Sequence, residues 1–163
     1  MNYQMKNSDP LYHPLFFIDT EEPKDFFPDE NVYYKSSDMK HRLYPWNTPD
    51  ESVKDLISQW HDLNSIICHN FKQRQKDMIQ RKMVKALSLF MKLLFWSNGS
   101  PVTLNNLKKD LGNLSIKPIN IVDRLSFIME KPSLYPSFLQ LSELFVEQHK
   151  AYYRNKVMVA KKE

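Results

Sequence analysis

Only two of the 163 residues are glycine. Two glycines cannot build the GxGxxG turn of a dinucleotide site or the GxxxxGKS/T loop that cradles phosphates. All-β folds spend glycine on tight turns, so its scarcity points to helices. Cysteine is scarcer still. Cys68 stands alone, which excludes an internal disulfide and suits a reducing cytosol. No CxxC or HExxH spacing offers zinc a home, and no GxSxG elbow marks a nucleophilic serine. The opening MNYQMKNSDP lacks the apolar core of a secretory signal. The longest apolar stretch, at 87–96, is broken by Ser88 and Lys92 and is too short for a bilayer. A cytoplasmic protein with no membrane insertion is the expectation.

What is present is apolar bulk. The composition is 42% hydrophobic and 13% aromatic beside 26% charged residues. A disordered chain does not carry such an aromatic load, and this length suffices for one domain with its own core. The net charge of +4 hides a division. Residues 1–50 hold five Lys/Arg against nine Asp/Glu, whereas residues 51–163 hold eighteen against ten. Either the acidic front and the basic body attract each other, or the body attracts an external polyanion.

Residues 1–47 contain five of the ten prolines and ten of the twenty-one aromatics, among them Tyr3, Phe16, Phe17, Phe26, Phe27, Tyr44 and Trp46. Prolines interrupt long helices, yet the aromatics have much surface to bury. The segment reads as an extended strap laid over a helical body, or else as a tail that folds on a partner. From Thr48 the signals turn helical. Thr48, Pro49 and Glu51 offer an N-cap, a first-turn proline and a capping box. Val53, Leu56, Ile57, Trp60, Leu63, Ile67 and Phe71 then form one stripe at 100° per residue. Asn64 sits inside that stripe and needs a partner. A second helix runs from about Gln73 to Ser97 and turns apolar nearly all round near its end, which marks it as central. Thr103 caps a short helix ended by Gly112. Asn120 caps a fourth, ended by Lys131-Pro132. A fifth begins near Pro136. The expected domains are the strap at 1–47, a helical body at 48–155 and a basic, frayed tail at 156–163.

Three clusters are candidate sites. The first joins the last two helices: Asn120, Asp123, Arg124, Tyr135, Gln140 and Glu143. Asn120 caps, Asp123 sits near the positive end of the helix dipole, and Arg124 reaches across, with Glu143 as a mate. Joinery between helices and partner binding are the two readings. The second is a basic row of Arg74, Arg81, Lys85 and Lys92 on one face of the second helix, spaced for phosphate contacts. Asp77 is placed to pair with Arg81, and the acidic strap is placed to cover the row. The third, His61, Cys68 and His69, lacks a fourth ligand and the usual spacing, so no metal or cofactor is expected.

Lys117-Pro118-Ile119-Asn120-Ile121-Val122-Asp123-Arg124-Leu125, continued by Pro132, Tyr135, Phe138, Gln140-Leu141 and Glu143-Leu144-Phe145, resembles the YpoC-like proteins of Bacillus and its relatives. The likeness is clearest over about 30 residues near the C-terminus and extends more loosely back through the Trp60 and Trp96 helices and the aromatic N-terminus. It implies a compact helical cytoplasmic protein of Gram-positive bacteria and supplies no catalytic residues. The combined expectation is a single all-α bundle of four to five helices with a strap, acting as a non-enzymatic interaction module with a protein partner. A nucleic-acid-binding protein using the basic row comes second. An enzyme with its site between strap and bundle is a distant third.

Overall fold

The computed structural model describes residues 8–36, 38 and 41–162. Tyr3 and Glu163, part of the expected strap and tail, lie outside them. The fold is all-α. Short 3-10 turns occupy Pro14–Phe16 and Pro45–Asn47. The helices are α1 (Pro23–Phe26), α2 (Pro28–Lys35), α3 (Pro49–Lys72), α4 (Lys76–Trp96), α5 (Leu107–Asn113), α6 (Ile121–Glu130) and α7 (Tyr135–Lys162). No strand forms among the described residues; Ile18 and Glu21 make one isolated antiparallel bridge.

The N-terminal segment is not extended as expected. Pro14, Pro23, Pro28 and Pro45 each open a short helix or turn. At the first helical position the missing N–H would have been unsatisfied anyway, and proline's fixed φ already suits the helix. Local polar groups complete these starts. His13 Nδ1 accepts from Leu15 N at 3.1 Å, and Asp25 Oδ2 accepts from Glu22 N at 2.8 Å.

Helices α3 and α4 form an antiparallel hairpin through Gln73–Gln75. Arg74 takes the left-handed conformation there, with φ 53°. The buried stripe of α3 runs Val53, Leu56, Ile57, Trp60, Leu63, Ile67 and Asn70, with Phe71 only half-buried. Asn70 bridges the hairpin by donating to Gln75 Oε1 at 2.9 Å. The Thr48/Glu51 capping box does not form. Thr48 makes no side-chain cap bond, and Ser52 Oγ instead donates to the carbonyls of Pro45 and Thr48. Pro49 does open the helix.

The last turns of α4 are buried on every side, from Ala86 to Met91 and from Leu93 to Trp96. Gly99 follows with φ 74°, which lets the backbone turn back over the helix end. Asn98 holds the next segment: it donates to Leu94 O and Ile116 O and accepts from Ile116 N. Gln148, fully buried on α7, donates to Ser97 Oγ at 2.7 Å and Ile116 O at 3.1 Å. The core centres on the Phe145 ring, stacked on Trp60 at 4.1 Å and set edge-on to Phe90 at 5.2 Å. Asn64 finds its partner on α7, donating to Ser142 Oγ at 3.3 Å.

Two further boundaries differ from expectation. Asn106, not Thr103, precedes α5, and Gly112 lies inside that helix. Thr103 instead donates to Asp110 Oδ2 at 2.6 Å, a hydroxyl–carboxylate bond that competes with capping. Helix α7 continues through Lys162, across the expected tail. Lys156 Nζ pairs with Asp50 Oδ2 at 2.8 Å, and the Tyr152 hydroxyl donates to the same carboxylate.

The N-terminal segment packs into the core. Phe16, Phe26 and Phe27 are buried and meet ring to ring at 5.1–5.4 Å. Tyr44 stacks on Trp46 at 4.6 Å, and Trp46 leans on Trp96 at 6.3 Å. Glu30 of α2 is fully buried; its Oε2 accepts from Trp96 Nε1 at 2.7 Å and from Val102 N at 2.9 Å.

Candidate functional site

Helix α6 starts at Asn120, but not through a side-chain cap. Asn120 has φ 57° and ψ 35°, and its side chain makes no cap bond. Its backbone carbonyl accepts from Arg124 N at 3.1 Å. Asparagine suits this position because it tolerates the left-handed region that strains most residues. Asn120→Gly is therefore expected to melt at or above the parent temperature. Asn120→Ser, which preserves a cap but not the conformation, should lose about 1 kcal/mol. The reverse order in thermal melts would restore the cap.

Arg124 does cross to α7, and its chief mate is Glu147. The guanidinium Nη1 and Nη2 each donate to one Glu147 oxygen at 2.8 Å, a bidentate fork. Glu143 is only a distant third party at 3.9 Å. Nη1 also donates to Ile119 O at 3.0 Å. The Gln140 amide, turned so that its oxygen faces the all-donor guanidinium, accepts from Nε and Nη2 at 2.7 Å. The fork raises the Arg124 pKa and lowers that of Glu147. A depressed carboxyl contributes stability above its unfolded pKa and loses it as pH falls through the folded value. Glu147 is 42% exposed, so solvent and salt screen this contribution.

These residues wall an open groove of about 610 Å³ between α6 and α7. Asn120, Arg124, Gln140 and Glu143 line it together with Lys117, Pro118, Ile119, Glu147, Lys150, Ala151 and Arg154. Asp123 and Tyr135 do not. Asp123 is exposed in the first turn of α6, and Tyr135 packs edge-on to Phe71 at 5.2 Å, tying α7 to the end of α3. Glu147 was missed by sequence reasoning. Its spacing of seven from Gln140 and four from Glu143 puts it on the same flank of α7, and that signal was available.

The basic row is broken up. Arg74 lies in the α3–α4 turn rather than on α4. Arg81 Nε binds Asp19 Oδ2 at 2.8 Å, not Asp77. Lys92 sits under the N-terminal segment, its Nζ over the Phe27 and Trp96 rings at 5.7 and 5.9 Å. Lys85 is exposed. Cys68 leans on Asn64, with Sγ 3.8 Å from Oδ1, and His69 is exposed. Among the described residues no group of three or more His, Cys, Asp or Glu converges as a metal site would. No helix among them is long and apolar enough to cross a membrane.

An all-α chain with a clasped α6–α7 joint is thus defined, and its family is shown by comparison. The family model described as YpoC-like protein matches residues 50–160, and the chain belongs to that family. A relative, the uncharacterized protein YpoC of Bacillus subtilis (strain 168), is 31% identical over 115 residues, covering 70% of each chain. No solved structure matches.

Proposed function

We propose that the protein is a non-enzymatic cytoplasmic docking module that holds an acidic, apolar-anchored segment of a partner protein in the α6–α7 groove. The observation that carries this reading is Ile119, 80% exposed at the groove's edge, beside cations that the fold does not use. Lys150 and Arg154 make no hydrogen bond or ion pair with another described residue. Four cations line the groove against two carboxylates, Glu143 and Glu147. Such a surface favours an acidic partner through electrostatic complementarity, while Ile119 supplies apolar contact. The Arg124 fork holds the wall still, which lowers the ordering cost of binding.

Nucleic acid is the weaker reading, because Arg81 is paired and Lys92 lies in a cleft. A photoreactive side chain at Ile119, introduced in host cells, is expected to capture a discrete protein. Lys150→Glu with Arg154→Glu should abolish the capture without shifting the melting temperature by more than a few degrees. Capture of nucleic acid, indifference to the charge reversal, or no adduct would each reject the groove as the docking surface.

A further inference from the structure

A second concavity, of about 330 Å³, opens between the N-terminal segment and the α3–α4 hairpin. Its floor holds Lys92 and Trp96, and carboxylates from both sides line it: Asp29 of α2, and Glu51 and Asp55 of α3. Asp29 is engaged by Arg42 at 3.2 Å and Asp55 by Gln59 at 2.8 Å. Lys92 makes no hydrogen bond or ion pair with another described residue; its neighbours are the faces of Phe27 and Trp96. A primary amine on aromatic rings at the base of an open cleft, with carboxylates along the wall, is a chemical arrangement the docking function does not use.

We propose that Lys92 is a carbonyl-acceptor site, forming an imine with small uncharged aldehydes that enter the cleft between the N-terminal segment and α3–α4. The Nζ lone pair attacks the carbonyl carbon and the C–N bond forms. The proton lost by nitrogen goes to the carbonyl oxygen, giving a carbinolamine. A second proton transfer, from solvent, lets that oxygen leave as water as the C=N bond forms. Amine and aldehyde thus give imine and water, and no oxidant is required. The acidic rim sets the ligand class, since three carboxylates repel an anionic aldehyde.

The local electrostatics favour the neutral amine that the first step needs. Burial, aided by the Lys85 charge on the same helix, pulls Lys92 down to about 8 against the opposing pull of Glu30, Asp29 and Asp55. Near neutral pH roughly a tenth of such amines are uncharged, against fewer than about one in a thousand for an ordinary lysine. Desolvated lysines gain nucleophilicity in this way.

The test is brief exposure of the full-length protein to propanal with cyanoborohydride near neutral pH, read lysine by lysine by peptide mass spectrometry. Lys92 should be alkylated at least about ten-fold faster than exposed Lys54 and Lys85. The same experiment with glyoxylate, an anionic aldehyde, should shrink that advantage several-fold, and Glu51→Gln should restore part of it. A Lys92 advantage below ten-fold overturns the site. An advantage equal for propanal and glyoxylate overturns its preference for uncharged carbonyls.

Discussion

A chain beginning at Thr48 is expected to lose its cooperative melting transition and to bind a hydrophobic dye at ambient temperature. The truncation removes Leu11, Phe16, Phe26, Phe27, Tyr44 and Trp46, all at least 95% buried. Each fully buried large apolar side chain contributes about 1.5–3 kcal/mol. Six of them together reach the whole stability of a typical domain, about 5–15 kcal/mol. The loss also bares the apolar end of α4, where Trp96 leans on Trp46 and Lys92 lies over Phe27. A truncated chain that melts like its parent would show that the segment is a tail, and the partner-folding alternative would take its place.

Glu30→Ala is expected to destabilise by about 3 kcal/mol or more. Two buried donors, Trp96 Nε1 and Val102 N, share its Oε2, and a buried donor left without an acceptor costs about 1–3 kcal/mol. Glu30→Gln keeps an acceptor oxygen and should cost less. Its amide nitrogen takes the place of Oε1, which has no partner among the described residues. The two proteins should also differ in pH dependence. Desolvation raises the Glu30 pKa, outweighing its hydrogen bonds and Lys92. A raised folded pKa contributes stability that is full below the unfolded value and lost as pH rises through the folded value. Parent stability should therefore fall relative to Glu30→Gln as pH rises above the ordinary glutamate range. Denaturant titrations at several pH values measure this difference. A constant gap would mean that Glu30 keeps an ordinary pKa, and a fully tolerated Glu30→Ala would mean that the carboxylate is not an anchor.

The α3 stripe and the all-round apolar end of α4 were legible because a helix writes its buried face into the sequence every three to four residues. Pro14, Pro23, Pro28 and Pro45 do interrupt long helices, but the short helices and turns they open were not legible, because proline signals both helix breaking and helix starting. Only the aromatic packing that follows decides between them. Asn120 was placed correctly before α6 but for the wrong reason, since a cap and a left-handed residue both favour asparagine. The Arg124 crossing was legible, but the choice of Glu147 over Glu143 depends on how α6 sits against α7. Arg81–Asp19 and the Lys92 cleft join segments far apart in the chain, and no local pattern encodes them. The acidic front and basic body foretold such pairing only in general terms.

The central claim is that the N-terminal segment is part of the fold, pairing with Arg81 and walling Lys92 into a cleft, so that the docking surface is the α6–α7 groove. Native-state amide hydrogen exchange on the full chain tests it most directly. The amides of Asn31 in α2 and of Ser36 just after it donate to Phe27 O and Val32 O at 2.9 and 3.0 Å. They are expected to exchange only through the opening that also releases the buried amides of α4, with the same free energy. Exchange of α2 at the rate of an unfolded peptide while α4 stays protected would contradict the claim and return Arg81 and Lys92 to a basic row open to polyanions.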